Sequence, residues 1–468
     1  MGTVTRMASA ETKIPAALAL ARIVNREIRY DTLPPVAVKH AKMILASTLA
    51  GAAPGAKIGS ARIIRELAKE QGGNAEASVW FDGANLPAVS AARVNAMQSD
   101  AYASDDSDLR NVAHIGTCLT AVGLAVGERS ESSGRDLLSA MVAGYEAAGR
   151  ITEAITAGSS GAGAISGTVG RGFHASSIVA FGGAVAAAKL LRLSDEQMAQ
   201  AIGITATTVG GLAIGTNSWA REYHAGNAAL TALNAALAAS RGYTVNSDML
   251  EATGGFFAVF GGVSDTSALT REAKDYQIAR YLAIKLVPGA HALHPAVEAA
   301  ENAARESGAS ADDIAQILVA GPQSGLVASA PPKDMIQAIH SLSYYIASAA
   351  ADKDFSWRNA ERAMIERPVI ARLMKLVARD PAPPAVKYEW PWGATVTIVT
   401  KSGARFTSKV DAPRGSAPRG IEWSDVEAKY RALIPQSGLP GARVDRIWET
   451  IRNFEQVKTV RELTGLLA

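Results

Sequence analysis

Apolar residues recur at spacings of three and four from residue 12 to residue 265, which is the pattern of amphipathic and buried helices. In the segment SSGRDLLSAMVAGYEAAGRI, five apolar side chains share one face of a helix: Leu137, Leu138, Met141, Val142 and Tyr145. Ser133 with Asp136, and Ser194 with Gln197, have the spacing of capping boxes at helix starts. Alanine and glycine at the contact positions let helices approach closely, so we predict a compact domain of alanine-rich helices.

The pattern changes after about residue 270. The segment ATVTIVTKSGARFTSKV alternates apolar and polar residues and then turns at Ser402 and Gly403, which predicts a β-hairpin. The segment DDIAQILVAGP is a further helix or strand, and its periodicity does not decide between the two. Helical spacing resumes over residues 424–467.

Together these patterns predict a mainly α fold in which an α+β module is inserted between helical segments. A chain of 468 residues exceeds what one hydrophobic core usually spans, so at least two domains are expected. The predicted division is residues 1–269 for the helical domain, 270–410 for the α+β module, and 411–468 for C-terminal helices that return to the helical domain.

Composition narrows the class of protein. Basic residues barely outnumber acidic ones, 47 to 44, and no basic patch is interleaved with aromatics, which argues against nucleic acid as a partner. The single cysteine, Cys118, excludes an internal disulfide and a cysteine-ligated zinc or iron–sulfur centre within one chain. No uncharged apolar run reaches the length of a membrane span, and residues 16–21 are too few for a secretory signal. We expect a cytoplasmic protein.

A run of carboxylates stands out in the segment DAYASDDSDLRNVAHIGT, residues 100–117. Asp105, Asp106 and Asp108 are followed six residues later by His114. Short acidic side chains before a helix often only cap it, because they accept hydrogen bonds from free backbone amides. The same residue types also build acid–base sites, and the segment alone leaves both interpretations open.

Histidines are the second chemical signal. Of the seven, His40 falls in a predicted N-terminal helix and is expected at the surface, while the other six lie between residues 114 and 340. Five of these six occur in stretches rich in glycine, proline or small residues, where a single histidine often just fills a polar niche. Several histidines that converge from separate loops instead predict proton transfer near neutral pH.

Other chemistries fit the sequence less well. GRGFHA, residues 170–175, matches GxGxxA formally, but the sequence predicts no strand before it, so a dinucleotide site is not expected. His291 and His294 have the spacing of half a metal site, yet no further ligands complete it, so we predict no metal ion and no cofactor. No GxSxG motif places a nucleophilic serine.

Four motifs, in order along nearly the whole chain, resemble the MmgE/PrpD family, which contains 2-methylcitrate dehydratase, cis-aconitate decarboxylase and iminodisuccinate epimerase. The motifs are DAYASDDSDLRNVAHIG, GRGFHASSIVAFGGAVAAAKLLRLSDEQ, AREYHAGNAAL and IKLVPGAHALHPAVEA. The resemblance implies a large all-helical domain, a smaller α+β lid domain inserted before the C-terminal helices, a homodimer, and an active site between the two domains.

The resemblance also assigns the site residues. Those implied as catalytic are Asp105, Asp106, His114, His174 and Lys285. Those implied as substrate-binding are Ser107, Arg221, His224, His291 and His294. The chain departs from the family pattern at three positions: Ala103 where an Asp is usual, Arg221 where many members have Lys, and His340 where Phe is usual. An arginine holds a carboxylate in a bidentate manner but is a poor proton donor, so Arg221 is expected to bind rather than to act as an acid.

The reactions of this family can all pass through a carbanion next to a carboxylate, whose charge needs fixed cations. Lys285 and Arg221 suit that role, and His114 or His174 would move the proton. We therefore expect a cofactor-independent lyase of the hydratase or dehydratase type that acts on a small di- or tricarboxylic acid, with no nucleic acid or membrane partner. A decarboxylase or an epimerase of a similar acid is the close alternative, and a dimer that only binds an acidic metabolite is an alternative of another class.

Overall fold

The computed structural model describes residues 14–156, 168–169, 172–261, 266–328 and 330–468. The predicted mainly α fold is confirmed. The described helices are α1 (Ala16–Glu27), α2 (Pro35–Gly55), α3 (Gly59–Gln71), α4 (Ala88–Ala101), α5 (Ile115–Arg129), α6 (Gly134–Thr156), α7 (Ser176–Leu190), α8 (Asp195–Thr208), α9 (Ala220–Ser240), α10 (Phe256–Phe260), α11 (Ser267–Thr270), α12 (Gln277–Tyr281), α13 (His294–Ser307), α14 (Met335–Ala338), α15 (Leu342–Asp352), α16 (Arg362–Ile365), α17 (Pro368–Met374), α18 (Trp423–Leu433), α19 (Gly441–Arg452) and α20 (Arg461–Thr464).

Strands are short and form four small sheets in the part of the chain that the structure describes. They are β1 (Ala77–Ser78), β2 (Asn85–Leu86), β3 (Asp106–Asp108), β4 (Thr168–Val169), β5 (Phe173–His174), β6 (Leu282–Ile284), β7 (Ile314–Ala320), β8 (Val377–Arg379), β9 (Ala394–Thr400) and β10 (Arg405–Val410). Among the described helices, none is long and apolar enough to cross a membrane.

The larger hydrophobic core is built from helices that pack closely. Helix α6 packs on α7, α7 on α9, and α4 on both α5 and α9. All five side chains predicted to share a face of α6 are fully buried. The close approach of α6 and α7 depends on glycine, because a Cβ added to Gly144 would lie only 2.5 Å from the carbonyl oxygen of Gly182. Small residues at the contact therefore serve the packing that the sequence predicts.

Both predicted capping boxes are present. The backbone N–H of Asp136 donates to Ser133 Oγ at 3.2 Å, and the Asp136 carboxylate accepts from the Ser133 backbone N–H at 3.1 Å. Ser194 and Gln197 make the equivalent pair of bonds at the start of α8. Each box satisfies backbone donors that have no partner within the helix, and this fixes where α6 and α8 begin.

A second hydrophobic core lies between residues 293 and 410. Its four-stranded sheet has the order β10–β9–β7–β8, and helix α13 packs on β9 and β10. The predicted hairpin is β9 and β10, with Gly403 at φ 87° in the turn, and DDIAQILVAGP contributes strand β7 rather than a helix. The domain boundaries at 269 and 410 and the closure of a lid stay predictions.

After the second core the chain packs against the first helices again. Helices α18 and α19 contact α2, and α20 contacts α5. The apolar side chains of this segment, among them Val426, Tyr430 and Trp448, are buried within the larger core. Helix α2 is buried on most of its surface, so His40 is only 4% exposed and its Nδ1 lies 3.0 Å from the Ile278 carbonyl oxygen. Our expectation that His40 lies at the surface was wrong.

A short antiparallel ladder joins the acidic segment to a distant part of the chain. Strand β3 pairs with β6, so that Asp106 lies opposite Ile284 and Ser107 opposite Ala283. The backbone N–H of Lys285 donates to the Asp105 carbonyl oxygen at 3.2 Å. The ladder therefore places Asp105 and Lys285, 180 residues apart in sequence, side by side.

Candidate active site

A cavity of about 390 Å³ lies where segments of both cores meet. Five of the ten predicted site residues line it: His114, His174, Arg221, Lys285 and His291. Its wall also includes Gln323 and His340. Its size suits a small organic acid, since ligand pockets begin at about 300 Å³. The remaining predicted residues, Asp105, Asp106, Ser107, His224 and His294, lie behind this wall or beside it.

Asp105 and Lys285 form a buried ion pair at the wall. Lys285 Nζ lies 2.5 Å from Asp105 Oδ1, and both side chains are almost completely buried. Burial alone would raise the pKa of Asp105, but the charges of His114 and Lys285 lower it well below its usual value. Asp105 is therefore a carboxylate at neutral pH, and Lys285 reaches the cavity with part of its charge already compensated.

Two groups contact Nδ1 of His114 and orient its ring. Its Nδ1 lies 2.6 Å from the Asp106 carbonyl oxygen and 3.0 Å from Asp105 Oδ2. A carbonyl oxygen only accepts, so Nδ1 carries a proton and the neutral ring has its lone pair on Nε2. Ser107 Oγ lies 3.4 Å from Nδ1, behind the ring. The arrangement presents Nε2 to the cavity as a base and keeps a carboxylate beside Nδ1–H, where it stabilises the imidazolium that forms when Nε2 gains a proton.

A second pair, Asp100 and Arg221, lies beside the first. Arg221 Nε lies 3.3 Å from Asp100 Oδ2, and Arg221 Nη2 donates to the carbonyl oxygens of Asp100 and Ala101 at 2.9 and 3.1 Å. Burial raises the pKa of Asp100 to about 7 against the charge of Arg221, and a hydrogen bond with Asp105 adds to the rise. Our sequence assignment did not include Asp100, although it opens the acidic segment.

The other two carboxylates of the acidic run make local contacts. Asp106 Oδ2 accepts from the backbone N–H of Gly116 at 2.9 Å, in the first turn of α5. Burial raises the pKa of Asp106 to about 7, although this backbone bond acts in the opposite sense. Asp108 accepts from Arg110 through its backbone N–H and its guanidinium. These two carboxylates thus make helix and turn contacts, and Asp106 does not line the cavity.

His174 and His224 lie on the side of the cavity formed by α7 and α9. His174 Nδ1 accepts from the backbone N–H of Ser176 at 3.2 Å, so the neutral ring carries its proton on Nε2. Burial, together with the nearby His224, lowers the pKa of His174 to about 3. The two rings are 4.8 Å apart, and His224 lines a neighbouring cavity of about 480 Å³ instead. In this tautomer His174 has a hydrogen-bond donor at Nε2.

His291 and His294 lie close together but point to different surroundings. Their ring centroids are 4.6 Å apart, and only His291 lines the central cavity. Burial lowers the pKa of His291 well below its usual value and that of His294 to about 3, so both rings are neutral. His294 instead lines a separate, smaller cavity of about 140 Å³.

Of the three departures from the family pattern, Arg221 and His340 line the cavity and Ala103 does not. Ala103 is buried beside Ile339 and Ala360 in a small apolar cluster. His340, in contrast, lines the cavity, and its Nδ1 lies 2.8 Å from the Ile336 carbonyl oxygen.

Lys429 is a buried cation that sequence reasoning did not single out. Its side chain extends from α18 to the acidic segment. There Nζ donates to the Ser104 carbonyl oxygen, and it also donates to Ser47 Oγ at 2.6 Å. The Trp357 ring lies 5.6 Å from Nζ. Burial lowers the pKa of Lys429 to about 7, with Asp105 opposing the shift and Lys285 adding to it. The sequence did not reveal this contact, because Lys429 and Ser104 are 325 positions apart.

The Lys429 pKa predicts a pH dependence of stability. The folded pKa of about 7 lies below the unfolded value of 10.5, so the unfolded state binds more protons between these pH values. The free energy of unfolding should therefore rise with pH in this interval. We expect this contribution to be absent from Lys429→Met. The melting temperature of wild type should therefore rise relative to that of the variant between pH 7 and pH 9. Lys42→Met, which removes a half-buried tether from α2 to Glu455, should change the melting temperature equally at both pH values. A parallel response of wild type and Lys429→Met would contradict the assignment.

One cluster of possible metal ligands occurs in the described residues. Ligand atoms of Asp100, Asp105 and His114 lie within 4.8 Å of one another. However, Lys285 Nζ and Arg221 Nε lie against the same carboxylates. A divalent cation there would face two fixed positive charges, which disfavours its binding. His291 and His294 are not part of this cluster.

Comparison with known proteins agrees with the four motifs. The family model of the MmgE/PrpD N-terminal domain matches residues 12–268, and that of the MmgE/PrpD C-terminal domain matches residues 288–456. The chain belongs to the MmgE/PrpD family. It is 24% identical over 441 residues to the cis-aconitate decarboxylase of Homo sapiens, an alignment that covers 92% of this chain and 90% of that protein. It is 24% identical over 416 residues to the cis-aconitate decarboxylase of Mus musculus, and that alignment covers 86% of this chain and 83% of the mouse protein.

Proposed function

We propose that the protein is a cofactor-independent lyase of the hydratase or dehydratase type that acts on a small di- or tricarboxylic acid. One observation supports the proton transfer and charge stabilisation in this proposal: a single cavity joins the base His114, backed by the Asp105 carboxylate, with the cations Lys285 and Arg221. The family supports enzymatic activity, and the two relatives are named as enzymes for an acid of this class.

In the proposed reaction the cations hold the carboxylates of the substrate. Nε2 of His114 takes the proton from the carbon next to a carboxylate, and the Asp105 carboxylate stabilises the imidazolium that forms. The electron pair left by the C–H bond moves onto that carboxylate, where Lys285 stabilises the charge. When the C–O bond breaks, the departing hydroxide takes the proton from His114, so that water and a carbon–carbon double bond result. His174 Nε2–H offers a further neutral donor to the substrate.

A decarboxylase is the second candidate, because both relatives carry that name. Loss of CO2 from a bound acid leaves the same carbanion, and His114 in its protonated form would then supply a proton to carbon. An epimerase would use the same base to remove the proton, and a second acid on the opposite face would supply a proton to the carbanion. Each alternative needs the same Asp105–His114 pair and the same cations, so geometry alone favours none of them. The homodimer implied by the resemblance stays a prediction.

Turnover of a panel of acids tests the proposal. Citrate, 2-methylcitrate, cis-aconitate and iminodisuccinate would each be incubated with the enzyme and followed by NMR. A dehydratase converts a hydroxy acid into an unsaturated acid, a decarboxylase releases CO2, and an epimerase changes configuration without a change of mass. Binding of these acids without any conversion would contradict the proposal and favour a metabolite-binding protein.

The reaction is expected to continue after exhaustive treatment with EDTA. Lys285 and Arg221 contact the one cluster of possible metal ligands in the described residues. In the proposed reaction their positive charge stabilises the negative charge that a Lewis-acid metal ion would otherwise stabilise. We expect kcat to change less than about twofold, measured after dialysis and with the chelator present. Loss of activity that one divalent ion restores would contradict this prediction.

A further inference from the structure

His340 lies in the cavity wall in a fixed orientation, between α14 and α15. Its Nδ1 is 2.8 Å from the carbonyl oxygen of Ile336. A carbonyl oxygen accepts and never donates, so Nδ1 carries the proton and Nε2 carries the lone pair. In the part of the chain that the structure describes, no protein group bonds to Nε2, and the residue lines the central cavity.

The charges around His340 keep it an acceptor. Burial lowers its pKa to about 3, and the positive groups Arg221 and Lys285 act in the same direction, with the Ile336 carbonyl opposing them. The ring is therefore neutral throughout the physiological pH range. Nε2 of His340 is therefore a permanent acceptor on a wall that also carries the cations Arg221 and Lys285.

An acceptor at this position selects among ligand groups. A carboxylate of the substrate has only lone pairs to offer and would meet the lone pair of Nε2 without a bond, whereas Arg221 and Lys285 on the same wall attract it. A hydroxyl group can donate to Nε2. A phenyl ring at position 340 would offer no such bond.

We propose that His340 is a specificity-determining residue that accepts a hydrogen bond from the hydroxyl group of a hydroxy polycarboxylate. The ligand class rests on the proposed function, and the inference deepens it. It favours a hydroxy acid, the substrate of a dehydratase, over an unsaturated acid that has no hydroxyl to donate. His340 takes no part in the proton transfer and discriminates by binding alone.

Citrate and tricarballylate test this directly, because both carry three carboxylates and only citrate has the hydroxyl. Binding would be measured by isothermal titration calorimetry at pH 7.5 with wild type, His340→Phe and His340→Gln. We expect wild type to bind citrate about tenfold more tightly than tricarballylate, as one hydrogen bond to a buried acceptor allows. In His340→Phe this ratio should fall below about twofold, with tricarballylate affinity nearly unchanged. His340→Gln, whose Oε1 can replace the Nε2 lone pair, should keep most of the preference.

The outcomes separate this inference from the proposed function. An equal citrate preference in wild type and His340→Phe, with folding verified by circular dichroism, would overturn the role of His340 and leave the proposed function intact. Failure of wild type to bind either acid would show that the polycarboxylate ligand itself is wrong, and the inference would fall with it. Tighter binding of tricarballylate by wild type would also overturn the inference.

Discussion

Replacement of His114 by glutamine is expected to lower kcat by about two to four orders of magnitude, because it removes the proposed base while it keeps much of the shape of the cavity. The prediction depends on the contacts of Nδ1 with the Asp106 carbonyl oxygen and the Asp105 carboxylate, which direct Nε2 to the substrate. Glutamine retains a donor for the carbonyl oxygen but cannot take a proton from carbon. KM for a carboxylate substrate should change less than about fivefold, since the cations remain.

His40→Gln is the matched control for this substitution. His40 is also buried and also bonds to a backbone carbonyl through Nδ1, but it lies in α2 and does not line the cavity. Both variants should lose some melting temperature, whereas only His114→Gln should lose turnover per folded molecule. Near-normal kcat in His114→Gln would remove this residue from the mechanism.

Replacement of Lys285 by methionine is expected to lower kcat by about a hundredfold or more, because one electrostatic partner of the developing charge is lost from a buried site. A second effect follows from the ion pair. Asp105 would remain buried without the ammonium group 2.5 Å away, so its pKa should rise. The acid limb of the kcat/KM profile should therefore move to higher pH, because protonated Asp105 no longer stabilises the imidazolium of His114.

Lys285→Arg and Lys42→Met separate these effects from a general loss of structure. Arginine keeps the charge, so the acid limb should stay near its wild-type position even if kcat falls through the changed geometry. Lys42 bonds to the Arg452 carbonyl oxygen and to Glu455 away from the cavity, and its loss should leave the pH profile unaltered. A Lys285→Met enzyme with wild-type kcat and an unmoved acid limb would show that the lysine has only a structural role.

The acidic segment shows which features of the site could be predicted from local sequence and which could not. Both interpretations of it apply, to different carboxylates: Asp106 and Asp108 make helix and turn contacts, while Asp105 pairs with Lys285 and His114. Three carboxylates within four positions look alike in sequence. The contact of Asp105 with Lys285 comes from strand pairing between β3 and β6, which is a long-range contact that no local pattern encodes.

The helices could be predicted because their capping and apolar spacing are local. Ser133, Asp136, Ser194 and Gln197 fix helix starts through bonds within three residues. The burial of His40 could not be predicted in the same way. Helix α2 is apolar around most of its circumference, so its pattern shows no polar face on which to place a histidine.

Contributions from distant segments were the least visible in sequence. Asp100 is the last acidic residue of α4, and only the folded structure shows that it lies against Arg221 and Asp105. Lys429 reaches the same region from α18. Lys429 belongs to no motif with its partners. Asp100 shares a motif with Asp105, but its bond with Arg221 joins residues 121 positions apart.

The central claim is that the cavity removes a proton from carbon next to a carboxylate, and solvent exchange tests it most directly. Citrate, 2-methylcitrate and cis-aconitate would each be incubated in D2O with wild type and with His114→Gln, and deuterium on carbon would be followed by NMR and mass spectrometry. The account predicts that wild type catalyses incorporation into at least one acid, and that the glutamine variant does so at least about a hundredfold more slowly. Binding of these acids without any catalysed exchange, or equal exchange in both proteins, would contradict it.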